Sequence, residues 1–312
     1  MSQWNYRPCI CPRHPITRIP APSLLLDKAR ESTPFDNDWN QKKLLKLIAD
    51  MIRAHRVAVA RGVKALVLKL SLFFSRQSTM IEDGFRLSYS NHSGNHHGAV
   101  VLSADTHEAL WRGNIERVFR ATALEFDALL LKIFQSTADI SYAATLSLLG
   151  LIESMIGRAR VNQRVRRLLQ SSPGILETAK IRWYSLIHKF VREDKLDVAQ
   201  TLAATIRKID ETTRAHIPTI ARTEAGRAAD EGRKQGLIDS QKVKTISVIG
   251  CQARERNSPQ YRGESTCNIE RVPIYDIDLL EFHPNHTGTI VPSEFVDRIQ
   301  PPIPGLEREP GE

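Results

Sequence analysis

Apolar side chains return at helical spacing from Gln41 onward, with Lys and Arg falling mainly between them. The apolar positions are Leu44, Ile48, Met51, Ile52, Val59, Val63, Leu66, Leu70 and Phe73. Such a stripe is typical of an amphipathic helix that packs on neighbouring helices. We therefore predict a helix from Gln41 to about Phe73, either continuous or divided near Gly62. A basic amphipathic helix lying on a membrane surface is a second interpretation.

The next stretch, residues 75–105, lacks this periodicity and is predicted to be a loop. It contains the run Asn91–Gly98, which is rich in Gly, Asn and His and favours turns, and a short strand is expected over 99–102. Asp105 or Thr106 is the predicted N-cap of the following helix. Ser172-Pro173-Gly174 predicts a break. The later predicted helices cover about 105–134, 140–157, 175–191 and 196–209.

The pattern changes near the C-terminus. Pro218 suits the first turn of a helix and Gly236 its end. Val243–Ile249 alternates β-branched and polar residues, which predicts a strand. Turn residues follow, and Ile290, Val291 and Phe295 are expected to complete a small sheet. The predicted fold class is mainly α, with a helical body followed by a small α+β, turn-rich C-terminal domain.

Four segments describe the expected domain organisation. Residues 1–40 form a Pro-rich extended arm, which either wraps a neighbouring subunit or is a disordered tail. Residues 41–210 form the helical body, 211–298 the C-terminal domain and 299–312 a tail. The polar, Pro-rich start predicts no signal peptide, and the longest apolar stretch is interrupted by charges, so we expect no membrane span.

Charge is unevenly divided along the chain, whose formal net charge is +9. Residues 237–312 hold 8 basic and 12 acidic residues, whereas the preceding residues hold 36 basic and 23 acidic ones. A positive surface of this kind favours an anionic partner such as DNA or an acidic protein face. The alternative is a generic solvated surface. Arg160, Arg164 and Arg167 fall at i, i+4 and i+7, and we take them as candidate contacts to DNA or an acidic partner.

Four potential metal ligands stand in the turn-rich segment: Cys251, Cys267, His283 and His286. Zinc takes four thiolate or imidazole ligands in structural sites, and a small domain with a thin core gains stability from such a metal. Without an export signal, cysteines are more often thiols or ligands than disulfides. The spacing lacks a close Cys-x-x-Cys pair, so two buried thiols and a polar turn remain the alternative to structural zinc.

A resemblance to a known family lies in residues 209–293. Thr212, Thr213 and Arg214 precede a helical motif of Ile220, Ala221, Arg222, Thr223 and Glu224, and a strand and a His283-Pro284-Asn285 box follow. This order resembles the phage head-morphogenesis family, the Mu F-like minor capsid proteins. The family's His-Pro-Asn-Cys-Arg-Cys ending is replaced here by His283-Pro284-Asn285-His286-Thr287-Gly288.

The resemblance implies a minor capsid protein with a structural role in head assembly and no enzymatic activity. The protein would lie inside the virion capsid, near the portal, after passing through the cytoplasm of the bacterial host. Its expected partners are portal and capsid proteins, with packaged double-stranded DNA as a further candidate. The resemblance implies neither a membrane nor a small-molecule substrate.

Catalytic interpretations find less support in the residues. Arg222 and Glu224 point to different faces of a helix, which favours packing over a shared active site. The sequence contains neither a nucleophile elbow nor a Gly-rich phosphate loop of a standard type. The alternative function is a zinc-dependent nuclease or effector domain on a phage-type body. Bound metal, with loss of DNA cleavage in His283→Ala, would distinguish it.

Overall fold

The computed structural model describes residues 34–35, 39–93, 104–171, 174–193, 198–249, 271–280 and 288–299. The chain is mainly helical and carries a small three-stranded antiparallel sheet near its C-terminus, which confirms the predicted fold class. In chain order the elements are α1 (Gln41–Ser93), α2 (Ala104–Leu148), α3 (Met155–Ser171), α4 (Gly174–Glu193), α5 (Val198–Asp239), β1 (Thr245–Ile249), β2 (Val272–Pro273), a 3-10 helix (Ile274–Leu279), β3 (Thr289–Pro292) and α6 (Ser293–Asp297). None of the described helices is both long and apolar enough to cross a membrane.

Helix α1 is continuous through Gly62, so of the two expectations the unbroken helix is confirmed. A Cβ atom at Gly62 would lie 2.6 Å from the Thr137 hydroxyl oxygen and 2.9 Å from the Ala225 Cβ. Gly62 therefore lets α1 approach α2 and α5 closely at this point. Close packing, rather than a backbone break, explains the glycine.

The loop predicted for residues 75–105 is wrong over 75–93, where α1 continues. Phe74, Ile81 and Phe85 extend the buried face of the helix, and the rings of Phe85 and Trp111 lie 4.3 Å apart between centroids. Polar residues join the same interface, since Gln77 Nε2 donates to Thr122 Oγ1 at 2.9 Å. Buried polar pairs therefore interrupt the apolar pattern without interrupting the helix. The strand expected over 99–102 lies outside the described residues.

The helices predicted over 105–134 and 140–157 are one helix, α2, which ends at Leu148. Gly150 adopts a positive φ of 74°, and the backbone N–H of Gly157 donates to Ser154 Oγ at 2.9 Å. Gly150, in the left-handed region, ends α2, and Ser154 caps the first turn of α3. Together they change the direction of the chain between the two helices. The predicted break between α3 and α4 is confirmed, because α3 ends at Ser171 and α4 begins at Gly174.

Two helix-boundary predictions in α5 are wrong. Pro218 lies inside the helix and not in its first turn, with Ile217 and Ala221 buried beside it. A proline there removes one backbone hydrogen bond, and burial of its neighbours offsets that loss. Gly236 does not end the helix, which continues to Asp239. The expected domain boundary at 210–211 falls within this continuous helix, and the division into domains remains a prediction.

The sheet has the order β2-β1-β3, with β1 antiparallel to both neighbours. Val248 lies opposite Ile290, and Ile249 opposite Thr289. The predicted strand at Val243–Ile249 is thus confirmed from Thr245 onward, and Ile290 and Val291 lie in β3 as expected. Phe295 belongs to α6 instead of a strand.

The sheet packs on the helical body and shares one apolar core with it. That core combines the start of α1, the ends of α2 and α5, and the inner face of the sheet. Its fully buried members include Leu44, Met51, Ile246, Ile290 and Phe295. The described end of the predicted arm packs at the same place. The rings of Phe35 and Phe295 lie 5.3 Å apart, and Arg298 Nη2 donates to the carbonyl oxygen of Trp39 at 2.8 Å.

Gly232 and Gly226 of α5 give a matched test of helix packing. A Cβ atom at Gly232 would overlap the backbone carbonyl of Ala138, whereas one at Gly226 would meet no atom within 4 Å. We predict that Gly232→Ala lowers the free energy of unfolding by about 2 kcal/mol or more, because backbone cannot move aside as a side chain can. Gly226→Ala should raise it by about 0.5–1 kcal/mol through helix propensity.

Urea denaturation of both variants against the wild-type protein measures these changes. A Gly232→Ala protein with the wild-type midpoint would show that α2 and α5 do not approach as closely as described here.

Candidate functional site

Helix α5 carries four ionisable residues within one stretch of five positions where it meets the sheet: Asp230, Glu231, Arg233 and Lys234. Arg233 is fully buried, and Asp230 and Lys234 are nearly so. We call these four residues, together with Arg164 of α3 and Asp278 of the 3-10 helix, the junction cluster. Because a buried charge is costly unless it is paired and hydrogen-bonded, the partners of each member decide what the cluster does.

Arg233 connects α5 to two other elements. Its Nη1 donates to the carbonyl oxygen of Ile290 in β3 at 3.1 Å, and its Nη2 donates to that of Met51 in α1 at 2.8 Å. Burial lowers the pKa of the guanidinium to about 10, with the charge of Asp230 acting in the opposite direction. The group therefore stays protonated at neutral pH and ties the sheet to the start of α1.

Lys234 and Arg164 hold the 3-10 helix against the body. Lys234 Nζ donates to the carbonyl oxygen of Leu280 and to Glu231 Oε1, each at 3.0 Å. Arg164 Nη1 contacts Glu231 Oε2 at 3.0 Å and Asp278 Oδ1 at 2.6 Å, and its Nε donates to Gln235 Oε1 at 2.8 Å. Arg164 therefore joins α3, α5 and the 3-10 helix through one side chain.

Asp239 forms a second link one to two turns further along α5. Arg160 Nη1 lies 3.1 Å from Asp239 Oδ1, and the Tyr142 hydroxyl donates to Asp239 Oδ2 at 2.9 Å. Burial, followed by this hydrogen bond, raises the pKa of Tyr142 to about 12. The phenol is therefore neutral and keeps α2 attached to the end of α5.

The three arginines predicted to contact DNA or an acidic partner have different surroundings. Arg160 is half exposed and Arg164 only 11 % exposed, and both pair with carboxylates of this chain. Arg167 is exposed, and within the described ranges no carboxylate pairs with it. Arg164 is therefore the member of the three that the fold itself largely occupies. Contact between the protein and DNA remains a prediction.

Asp230 lies beside His55 of α1, with His55 Nε2 3.8 Å from Asp230 Oδ1 and both side chains nearly inaccessible. Burial raises the pKa of Asp230 to about 8, against the opposing charges of Lys234 and Arg233. The negative charge of Glu231 also raises the pKa of Asp230. The carboxyl of Asp230 therefore holds its proton to a higher pH than an exposed aspartate does, because burial disfavours its charged form.

The family-like motif occupies the middle of α5. Ala221 and Glu224 are buried, as is Thr213, whereas Arg222 and Thr212 are exposed. Arg222 and Glu224 thus point to different faces, as helical spacing predicts. Three of the polar side chains bond within the helix: Thr212 to the Lys208 carbonyl at 2.8 Å, Thr223 to the Thr219 carbonyl at 3.1 Å, and Arg214 to Asp210 at 2.7 Å. In this arrangement the motif supplies helix packing.

The predicted zinc ligands, Cys251, Cys267, His283 and His286, lie outside the described residues, and the zinc site remains a prediction. Among the described ranges, no group of three or more His, Cys, Asp or Glu is placed to hold a metal ion. A groove of about 460 Å³ lies between α2, α3 and α4. On its wall Lys180 contacts Glu116 at 3.4 Å and Glu177 at 2.9 Å, and Arg120 lies 3.8 Å from Glu116, so two cations face these two carboxylates.

Comparisons with known protein families, curated proteins and solved structures find no match to this chain. Function is therefore inferred from the chain's own residues and geometry.

The junction cluster was not predicted, although the sequence contains a pattern that could have indicated it. Small residues recur every three or four positions along α5: Ala221, Ala225, Ala228, Ala229, Gly232 and Gly236. Such spacing favours close helix contact, and charges interspersed with it must then be buried. Arg164 offered no local indication, because its carboxylate partners are 67 and 114 residues away along the chain.

Replacing Arg164 tests whether the junction cluster stabilises the fold. Arg164→Met keeps much of the side-chain volume and leaves Glu231 without its guanidinium partner. We expect a loss of about 1–3 kcal/mol in the free energy of unfolding, since Glu231 is largely buried while Asp278 can be solvated. Arg167→Met, an exposed arginine on the same helix, should change it by less than about 0.5 kcal/mol. Equal denaturation midpoints for the two variants would contradict a stabilising role of Arg164.

The pH dependence of stability tests the protonation of Asp230. Its folded pKa lies above its ordinary value of 3.8, so its stabilising contribution is complete below about pH 4 and is lost as the pH rises towards 8. Asp230→Asn keeps the shape of the neutral acid but cannot ionise. Its stability relative to wild type should rise with pH by up to about 5 kcal/mol between about pH 4 and pH 9, at about 1.4 kcal/mol for each unit of the pKa shift.

Urea denaturation at acidic, neutral and alkaline pH gives the two profiles, and Asp127→Asn, at an exposed position on α2, serves as the control. Parallel profiles for wild type and Asp230→Asn would mean that Asp230 is ionised in the folded protein, as a partner of His55.

Proposed function

We propose that this chain is a minor capsid protein of a tailed phage, with a structural role in head assembly at the portal. The observation that carries the proposal is the order of motifs from Thr212 to the His283-Pro284-Asn285 box. The helical motif of residues 220–224 is the most specific part of this resemblance. It falls within α5, and β1 follows after a short turn.

The shape of the helical body supports a structural role. Helix α1 has 53 residues and α2 has 45, which correspond to lengths of about 80 and 68 Å at 1.5 Å per residue. Long helices packed side by side form a rigid rod and set a fixed distance between the partners bound at its ends. A protein that bridges assembly components benefits from such rigidity.

Exposed apolar side chains support contact with other proteins. Ile152, Met155 and Ile156 are strongly exposed although they stand within five residues at the turn between α2 and α3. A group of this kind is typical of protein contact surfaces. In the proposed function the partners are portal and capsid proteins, together with packaged double-stranded DNA. The protein would lie in the capsid interior after synthesis in the host cytoplasm, with structural zinc bound by the four ligands predicted above.

Mass spectrometry of purified heads from the phage or prophage that encodes this chain tests the proposal. We expect the protein at a few copies per particle, beside the portal protein. Heads assembled without the gene provide the control, with the major capsid protein as the internal standard for copy number.

Absence from heads, with the protein free in the infected cell, would remove the minor capsid function. Metal-dependent DNA cleavage by the purified protein, lost in His283→Ala, would then identify the nuclease alternative.

A further inference from the structure

The exposed side of α1 is strongly and almost uniformly basic. Between residues 41 and 76 nine Lys and Arg stand against one acidic residue, Asp50. Helical bundles usually mix both signs on their solvated faces, because like charges repel along a helix. The excess of positive charge on α1 therefore favours binding of a negatively charged partner.

Five of these cations form one stripe, which we call the α1 basic face: Lys42, Lys46, Arg53, Arg56 and Lys64. Their separations of 4, 7, 3 and 8 positions place them within a sector of about 80°, at 3.6 residues per turn. All five are exposed, whereas Met51, Ala58 and Gly62 on the opposite side of the helix are buried. The stripe therefore faces away from the rest of the bundle.

The α1 basic face is far less neutralised than the arginines of α3. Arg53 pairs with Asp50 at 3.3 Å, but across the described part of the chain no carboxylate pairs with the other four cations. On α3, by contrast, Arg158, Arg160 and Arg164 pair with Glu153, Asp239, Glu231 and Asp278. On α3 only Arg166 and Arg167 are exposed without a carboxylate partner among the described residues, so α1 presents more unpaired cations than α3 does.

We propose that the α1 basic face binds duplex DNA through its phosphates, independently of base sequence. From Lys42 to Lys64 the stripe extends about 33 Å, close to one turn of B-DNA at about 34 Å. The helix is unbroken over this length, so the cations keep a fixed spacing. This inference names the DNA-binding surface and rests on the proposed function for its biological setting only.

Binding that is independent of base sequence follows from contact with phosphates, which every base pair presents in the same way. Lys and Arg at these positions neutralise phosphates and release counterions. Ala49 and Ala60 fill the positions between them and are also exposed. Phosphate contacts fix the protein on the duplex without selecting bases.

The burial of the apolar side of α1 favours DNA over a lipid surface. A basic amphipathic helix binds a membrane by inserting its apolar face between the lipids. In this structure Leu44, Leu66 and Leu70 of that face are fully buried within the protein. Insertion would require α1 to leave the bundle, whereas phosphate binding requires no rearrangement.

A four-charge variant of the full chain tests the proposal: Lys42→Gln, Lys46→Gln, Arg56→Gln and Lys64→Gln together. The control also removes three lysines and one arginine, from other exposed positions: Lys69→Gln, Lys132→Gln, Lys208→Gln and Arg117→Gln. Fluorescence anisotropy with a duplex of about 30 base pairs, between about 50 and 200 mM salt, gives the affinity and its salt dependence. Circular dichroism and urea denaturation check that both variants fold as the wild type does.

We expect the α1 variant to lose about 100-fold or more in affinity at about 100 mM salt, with a salt slope smaller by roughly 3 to 4. The control variant should lose much less. Two unrelated duplexes of equal length should bind wild type equally.

The proposal is overturned if the wild type does not bind DNA, if the α1 variant binds as the control does, or if one duplex is strongly preferred. Binding to phosphatidylserine vesicles without binding to DNA would assign the α1 basic face to membranes instead. Because these measurements use purified protein, they can succeed when the chain is absent from heads, and fail when it is present there.

Discussion

The attachment of the small sheet to the helical body depends on the buried guanidinium of Arg233. Three strands of two to five residues cannot form an independent core, so the sheet needs the first turns of α1 and the last turns of α5. Arg233 bonds to the carbonyl of Met51 and to that of Ile290. Burying the charge is costly. The two hydrogen bonds of the planar guanidinium offset part of this cost, and they fix the positions of α1, α5 and β3 relative to one another. The sheet and the adjoining helix ends therefore share one apolar core.

Ion pairs at this junction reduce the number of basic side chains that are accessible to a partner. The sequence divides into a basic part and an acidic C-terminal part, and this division suggests an external anionic partner. Part of the asymmetry is used internally, since Arg160 and Arg164 pair with Asp239, Glu231 and Asp278. The guanidinium of Arg164 is largely occupied by these carboxylates, whereas Arg166 and Arg167 of α3 and four cations of the α1 basic face are exposed without a carboxylate partner among the described residues. Net charge alone therefore does not show which cations are accessible to a partner.

Local signals predicted the elements well where packing agreed with them and poorly where packing opposed them. The division between α3 and α4 and the strand β1 follow from turn residues and from alternation, and the structure contains both. Gly62, Pro218 and Gly236 carry the local signature of helix ends, yet each lies inside a helix. At Gly62 and Gly236 the missing side chain is needed for contact with a neighbouring helix. The junction cluster joins residues from distant parts of the chain, and no short-range pattern specifies which of them meet.

The burial of the family-like motif distinguishes residues that pack within the fold from exposed residues that can contact a partner. Ala221 and Glu224 are buried within the bundle, so their types are constrained by helix packing. A partner can touch only exposed groups, which here include the α1 basic face and the apolar turn at Ile152, Met155 and Ile156. Both surfaces lie outside the segment that resembles head-morphogenesis proteins. The resembling segment also presents exposed groups, among them Thr212, Arg222 and Tyr275, so burial alone separates its packing residues from those that a partner could reach.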